Sequence, residues 1–207
     1  MGCRLIAEDP RHGPVTGRIV EVEAYIGEED RASHARFGRT TRNAVMYGEP
    51  GLAYLYLVYG MHTCLNVVTE PSGRPTAVLI RAIEILTGVE LARANRIARE
   101  AALKRFRGDA AALARVGARI AATPTERLAS GPGLVGAAFG LDPTMTGLDL
   151  CDPDSPLRIE LDPGAGPVTV RVTPRVGIAY AGEPWTSRPW RLLVAGNRSV
   201  SAPTGSA

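Results

Sequence analysis

Lysine is nearly missing from this chain: Lys104 is the only one among 24 Lys and Arg in 207 residues. A Schiff-base mechanism would depend on that single amine, and it lies in an Ala/Arg-rich helical stretch away from the candidate motifs. Cysteine is scarce as well. Cys3, Cys64 and Cys151 are widely separated and form no metal-spaced pair, so neither a disulfide framework nor a zinc knuckle is suggested. A reducing, cytoplasmic compartment is the expectation. No apolar run approaches the ~18 residues of a membrane span. There is no internal repeat and no Gly-rich phosphate loop. What remains is ordinary for a globular protein, 45% hydrophobic and 22% charged, and the length suits one domain. The net charge of +3 is a mild basic excess carried almost wholly by arginine. It permits a polyanionic partner, and guanidinium suits planar phosphate contacts.

Strands are expected at Arg4 to Ala7 and Gly17 to Ile26, with Ile19, Glu21, Glu23 and Tyr25 on one face of the second. Residues 27 to 50 have little periodicity and read as a long functional loop or short helices. From Gly51 to Val68, two aromatic and β-branched runs flank a Tyr59-Gly60-Met61 break, the pattern of a hairpin. Tyr54, Tyr56 and Val58 would share one face; Leu55, Leu57 and Tyr59 would share the other. An aromatic at a rigid tip suits a wedge between stacked bases, the plain alternative being a tip packed on its own domain. A further strand is expected at Thr76 to Ile85. Helices follow from Thr87 or Gly88 to about Arg107, from Asp109 as N-cap to Ala122, and after Gly131-Pro132-Gly133 to Phe139. Strands at Leu157 to Leu161, Val168 to Val172 and Trp190 to Val194 close the domain, and residues 197–207 read as a frayed tail.

Glu23, Tyr25, His34 and Arg81 stand out chemically. Arg81 interrupts an apolar strand, and a buried guanidinium needs a partner such as Glu23. That pair is either structural or catalytic. His34 is either a satisfied loop histidine or a pocket residue. If Glu23 faces a cleft, a single carboxylate with one water suits hydrolysis of a bond whose leaving group is already good. Glycosidases acting on sugar polymers normally use two carboxylates. An N-glycosidic bond to an alkylated purine needs less help, and Tyr25 and Tyr56 could sandwich a flat base at about 1–3 kcal/mol per stack.

The segments Gly17-Arg-Ile-Val-Glu-Val-Glu-Ala-Tyr25, Ser33-His34, Arg42-Asn-Ala-Val-Met-Tyr47, Tyr54-Leu-Tyr56, Tyr59-Gly-Met-His62, Asn66-Val67 and Leu79-Ile-Arg81 occur in order. Together with Ser130-Gly-Pro-Gly133, Arg175-Val-Gly-Ile-Ala-Tyr-Ala-Gly182 and Pro189-Trp190, this set resembles the 3-methyladenine (methylpurine, alkyladenine) DNA glycosylase family over nearly the whole chain.

The resemblance implies an α+β fold over residues 1–196. Its elements are a single compact domain, a curved and largely antiparallel sheet forming a roll or partly open barrel, flanking helices and a protruding β-hairpin. It implies a base-flipping, monofunctional glycosylase that needs no cofactor or metal and acts as a monomer on duplex DNA containing damaged purines. Glu23 matches the general base, and Arg81 and the Val176 carbonyl match groups holding the attacking water. Tyr25, His34, Tyr56, Asn66 and Leu79 match the base pocket, with Asn66 crowding the exocyclic amine of guanine. Tyr59 matches the intercalating wedge with Met61 beside it, and Arg39, Thr41 and Arg42 match the phosphate-side loop.

Three departures accompany the match. The chain begins at Met1-Gly2-Cys3, almost inside the first strand, where the family normally has a helix-bearing segment. Thr41 stands where relatives usually carry Pro. A longer helical insertion is expected at about 96–125, solvated or adding phosphate contacts. A noncatalytic damage binder and an RNA-binding or nucleotide-modifying domain of similar topology are the competing readings, and retention of Glu23 favours catalysis.

Overall fold

A computed structural model of the chain describes residues 1–103 and 108–201. Eight strands form one sheet: β1 (Cys3–Ala7), β2 (Val15–Ile26), β3 (Ala53–Val58), β4 (His62–Val68), β5 (Thr76–Thr87), β6 (Leu157–Leu161), β7 (Val170–Thr173) and β8 (Arg191–Val194). Three α-helices accompany it: α1 (Val89–Ala101), α2 (Ala110–Ala121) and α3 (Pro132–Ala138). The sheet runs β3-β4-β5-β2-β1-β6, and every ladder is antiparallel. β2 is the hub. Its first half pairs with β1, its second half with β8, and its other edge with β5 along the full length. The result is an α+β domain whose curled sheet forms a half-barrel.

Alternation sorts the hairpin as the sequence predicts. Leu55 and Leu65 enter the main core with Ile80, Val135, Ala138 and Phe139. Tyr54 turns the other way, packing with Ala35, Met46, Val68 and Ala77 in a second cluster, against which Tyr56 rests. The sheet therefore has an apolar face covered by α3 and an aromatic face that carries the site. Close approach of α3 depends on Gly136, where a Cβ would fall 2.0 Å from the Thr63 carbonyl oxygen.

The expected alternation on β2 fails at one point. Ile19 joins the main core, whereas Glu21 and Glu23 are wholly buried on the polar side. The cause is a double irregularity: Ile19 pairs with Ile83, Glu21 with Ala82 and Val22 with Ile80. Val20 on one strand and Arg81 on the other are left without partners. A bulge re-aims a side chain and breaks the period of two.

The helices match in place and differ in extent. α1 ends at Ala101 rather than near Arg107, and residues 104–107, including Lys104, lie outside the described residues. Asp109 caps α2 as expected, its carboxylate accepting from the Ala112 N–H at 2.8 Å. The larger correction concerns the tail. Residues 197–201 are packed, with Ser199 and Ser201 buried, because Ser201 hydrogen-bonds to the buried carboxylate of Glu21. Residues 202–207 lie outside the described residues.

Candidate active site

The aromatic face of the sheet opens into a cavity of about 60 Å³ lined by Tyr25, His34, Tyr54, Tyr56, Asn66 and Tyr180, with Ala32, Met46 and Ala77 completing it. Cross-strand register explains the gathering. Asn66 on β4 sits opposite Tyr54 on β3 and opposite Leu79 on β5, and Leu79 in turn sits opposite Glu23 on β2. Four strands thus deliver their chemistry to one face. The long 27–50 loop adds His34. It is stapled by Asn43, whose side-chain amide donates to the His34 carbonyl at 2.9 Å and the Gly38 carbonyl at 3.0 Å.

Glu23 lies beside this cavity and is fully buried. Its Oε1 accepts the Val176 N–H at 2.7 Å; its Oε2 accepts the Tyr25 hydroxyl at 3.0 Å and Arg81 Nη1 at 3.2 Å. Burial, and then the neighbouring Glu23 charge, hold the Tyr25 phenol well above its ordinary pKa, so it stays a donor to that carboxylate. Arg81 is shared. Its Nε donates to Glu21 at 2.8 Å, a second carboxylate beside the Glu23 that the sequence offered as an example of a partner.

His34 is kept neutral. Burial, reinforced by the charges of Arg42 and Arg36, pulls its pKa to about 4. Its Nδ1 lies 2.8 Å from the Tyr54 hydroxyl, and its ring meets the Tyr56 ring edge-on with centroids 4.2 Å apart. Asn66 is buried, and its amide donates to the Tyr54 carbonyl at 3.2 Å, which fixes the side chain's orientation.

The hairpin tip projects from the cavity's edge. Tyr59 is 86% exposed and has φ 53°, and the Met61 N–H closes the turn onto the Val58 carbonyl at 3.0 Å. A bulky residue in the left-handed region is strained, and such strain gathers at functional sites. The Met61 carbonyl accepts Nε and Nη2 of Arg99 from α1 at 3.0 and 2.8 Å, which fixes the backbone of the tip. Arg39, Thr41 and Arg42 are exposed on the neighbouring loop. Arg42 also donates to the Leu57 carbonyl at 3.1 Å, which ties that loop to the hairpin.

A sequence profile of the methylpurine-DNA glycosylase (MPG) family matches residues 1–198. A protein of Frankia casuarinae is 46% identical over 93% of this chain and 82% of its own length. One of Methanocella arvoryzae is 39% identical over 97% of this chain and 86% of its own length. One of Koribacter versatilis is 40% identical over 90% and 78%. Each of the three is provisionally named a 3-methyladenine DNA glycosylase. The chain belongs to the methylpurine-DNA glycosylase family. It is thereby a base-excision repair glycosylase, a hydrolase of N-glycosyl bonds that acts on DNA.

In the glycosylase, Glu23, Tyr25 and Arg81 meet directly, and His34, Tyr56 and Asn66 line one cavity with Tyr25. Val176 was expected to contribute its carbonyl; the contact it makes to Glu23 is through its N–H. Behind it stands a pair that the sequence reading did not single out. Asp30 and Arg175, both with wholly buried side chains, form a two-point ion pair at 2.5 and 2.9 Å. The same guanidinium stacks against the rings of Tyr25 and Trp190, at 4.7 and 4.9 Å from their centroids. Tyr54 and Tyr180 were also missed as lining residues. Tyr54 was visible as the alternation partner of Tyr56, whereas Tyr180 arrives from a distant loop that carries no periodic signal. Among the described residues no cluster of three His, Cys, Asp or Glu is arranged to hold a metal, and no helix is long and apolar enough to cross a membrane.

Proposed function

We propose that this glycosylase removes alkylated or deaminated purines, of the 3-methyladenine, 7-methylguanine, hypoxanthine and ethenoadenine class, from duplex DNA. The nucleotide is flipped, water hydrolyses the N-glycosidic bond, and an abasic site remains. The observation that carries the reading is a fully buried carboxylate, Glu23, hydrogen-bonded to an aromatic wall of the cavity.

Glu23 has three donors, from Val176, Tyr25 and Arg81. A carboxylate offers about four lone-pair directions, so one is left to take a proton from water. Oriented by Arg81, the carboxylate also steadies the positive charge that develops on the sugar. Tyr25 and Tyr56 stack on the flipped purine, neutral His34 lines its edge, and Asn66 crowds the exocyclic amine of guanine. Tyr59 fills the gap in the duplex with Met61 beside it, while Arg39, Thr41 and Arg42 follow the phosphates. Leu79 packs between Glu23 and Asn66 under the base. Base release needs only water, with no lysine assigned a part in it and hence no strand cleavage expected, and one monomer supplies every group.

The test is single-turnover base release from duplex containing hypoxanthine or 3-methyladenine, comparing wild type with Glu23→Gln. Release by wild type and at least about a hundredfold loss in the variant is expected, as for removal of a positioned general base. Equal release by both would remove Glu23 from its role. No release by wild type, with lesion binding kept, would favour a noncatalytic damage binder.

A further inference from the structure

The segment 197–201, which looks in the sequence like a loose end, closes the rear of the Arg81–Glu23 centre. The Val200 carbonyl accepts from Arg127 Nη1 at 3.2 Å and from the Ser130 hydroxyl at 3.2 Å, so the segment is tied across the 125–130 region. Ser201 then delivers two donors to Glu21, its backbone N–H to Oε2 at 2.6 Å and its hydroxyl to Oε1 at 2.8 Å. The other donors to Glu21 are Nε of Arg81 at 2.8 Å and Nε of Arg191 at 2.7 Å, and both reach Oε1. Among the described contacts, Oε2 of this fully buried carboxylate depends on the Ser201 N–H alone.

The consequence follows from how Arg81 is divided. One guanidinium edge holds Glu21 through Nε and the other holds Glu23 through Nη1 at 3.2 Å, the longer of the two bonds. A buried carboxylate oxygen without a donor is costly, so a Glu21 stripped of Ser201 would draw Arg81 further toward itself. Glu23 would lose the weaker bond. We infer that Ser201 is a positioning residue for base release, fixing how the Arg81 guanidinium is shared with Glu23, both through Glu21 and through its own hydroxyl, which accepts from Arg81 Nη2 at 3.5 Å. This rests on Glu23 and Arg81 acting as proposed above.

The full-length chain carrying Ser201→Ala, Ser201→Pro or Ser201→Thr tests it. Ser201→Ala removes the hydroxyl, Ser201→Pro removes the N–H as well, and Ser201→Thr keeps both. Single-turnover base release should fall about threefold to tenfold in Ser201→Ala and further in Ser201→Pro, as expected when hydrogen bonds to a buried ion are lost. Ser201→Thr should stay within about twofold of wild type, and affinity for lesion-bearing duplex should hold in all three.

The acid limb of the pH–rate profile gives a readout that simple destabilisation would not move. Glu23 is faced by Arg81 on β5, Tyr25 on its own strand and the Val176 N–H; Glu21 is faced by Arg81, Arg191 on β8 and Ser201, with the Cys64 thiol of β4 also close to Arg81. Because the Arg81 guanidinium then faces the two carboxylates differently, the limb should be displaced in Ser201→Ala and stay at its wild-type position in Ser201→Thr. An unmoved limb with wild-type release, or a loss that merely tracks the folded fraction or the DNA affinity, overturns the inference. If Ser201→Pro does not fold, the limb of Ser201→Ala decides. Glu23→Gln run alongside separates the two levels. If it releases base like wild type, the reading of Glu23 fails; if it is inactive while the Ser201 variants are normal, only the role of Ser201 fails.

Discussion

His34 shows how burial sets chemistry at a single side chain. Its pKa in the fold is about 4, below the ordinary 6.5, because burial and the nearby arginines disfavour the cation. Between those two values the unfolded chain binds the extra proton and the fold does not. The contribution of His34 is therefore intact above about pH 6.5 and is lost as pH falls toward 4, by up to about 3 kcal/mol. Urea midpoints measured from pH 7 to pH 4 should fall more steeply for wild type than for His34→Gln, in which this slope disappears. Asp30 and Arg175 make the opposite kind of commitment, two charges wholly buried and mutually neutralised. Asp30→Asn leaves a buried guanidinium without its counterion and should cost roughly 3–5 kcal/mol in denaturant-derived stability. Because the backbone beside Arg175 delivers the Val176 N–H to Glu23, that variant should also slow base release among molecules that remain folded.

The hairpin formed by β3 and β4 carries a conflict between stability and use. Its turn puts Tyr59 at φ 53° and leaves the ring 86% exposed, so neither backbone energy nor burial favours tyrosine there. Glycine adopts that conformation freely, and Tyr59→Gly should be neutral or up to about 1 kcal/mol more stable by thermal unfolding. The same variant should bind lesion-bearing duplex more weakly, with binding to undamaged duplex little changed. Unchanged lesion binding would show that the ring does not fill the duplex. The bulge between β2 and β5 has a comparable logic. It leaves Arg81 without a cross-strand partner and turns its guanidinium onto two carboxylates, where a regular ladder would have kept the register of two.

At the scale of the whole molecule, a curled sheet separates an apolar layer, covered by α3, from a face of aromatic and ionised groups. A net charge of +3 is modest for a DNA-binding surface, so nonspecific attraction has to come from where the arginines lie. Arg39 and Arg42 are exposed, Arg42 lying over the ring of the cavity residue Tyr56 and Arg39 over that of Tyr47. Arg39→Ala should weaken binding to damaged and undamaged duplex alike and lower the slope of log affinity against log salt by about 1. A change confined to damaged duplex would assign Arg39 to the pocket instead.

Much of this architecture could be read from the residues themselves. Period-two alternation placed Tyr54 and Leu55 on opposite faces, Asp109 announced its helix, and the ordered motifs from Gly17 to Arg81 announced the family. These signals are local, or lie in residue identity and order, and so need no coordinates. Three things were beyond such reading. The bulge that turns Ile19 away from Glu21 depends on how two strands pair, and nothing in either strand alone encodes it. The Asp30–Arg175 pair joins residues 145 positions apart, and only burial makes their charges matter. Ser201 sits in a polar segment that composition marks as loose, yet its N–H meets Glu21 across 180 positions because the curled sheet brings that carboxylate to the chain's end. Strand pattern and motif decided which residues could do chemistry, while packing decided which of them share a proton, a charge or an arginine.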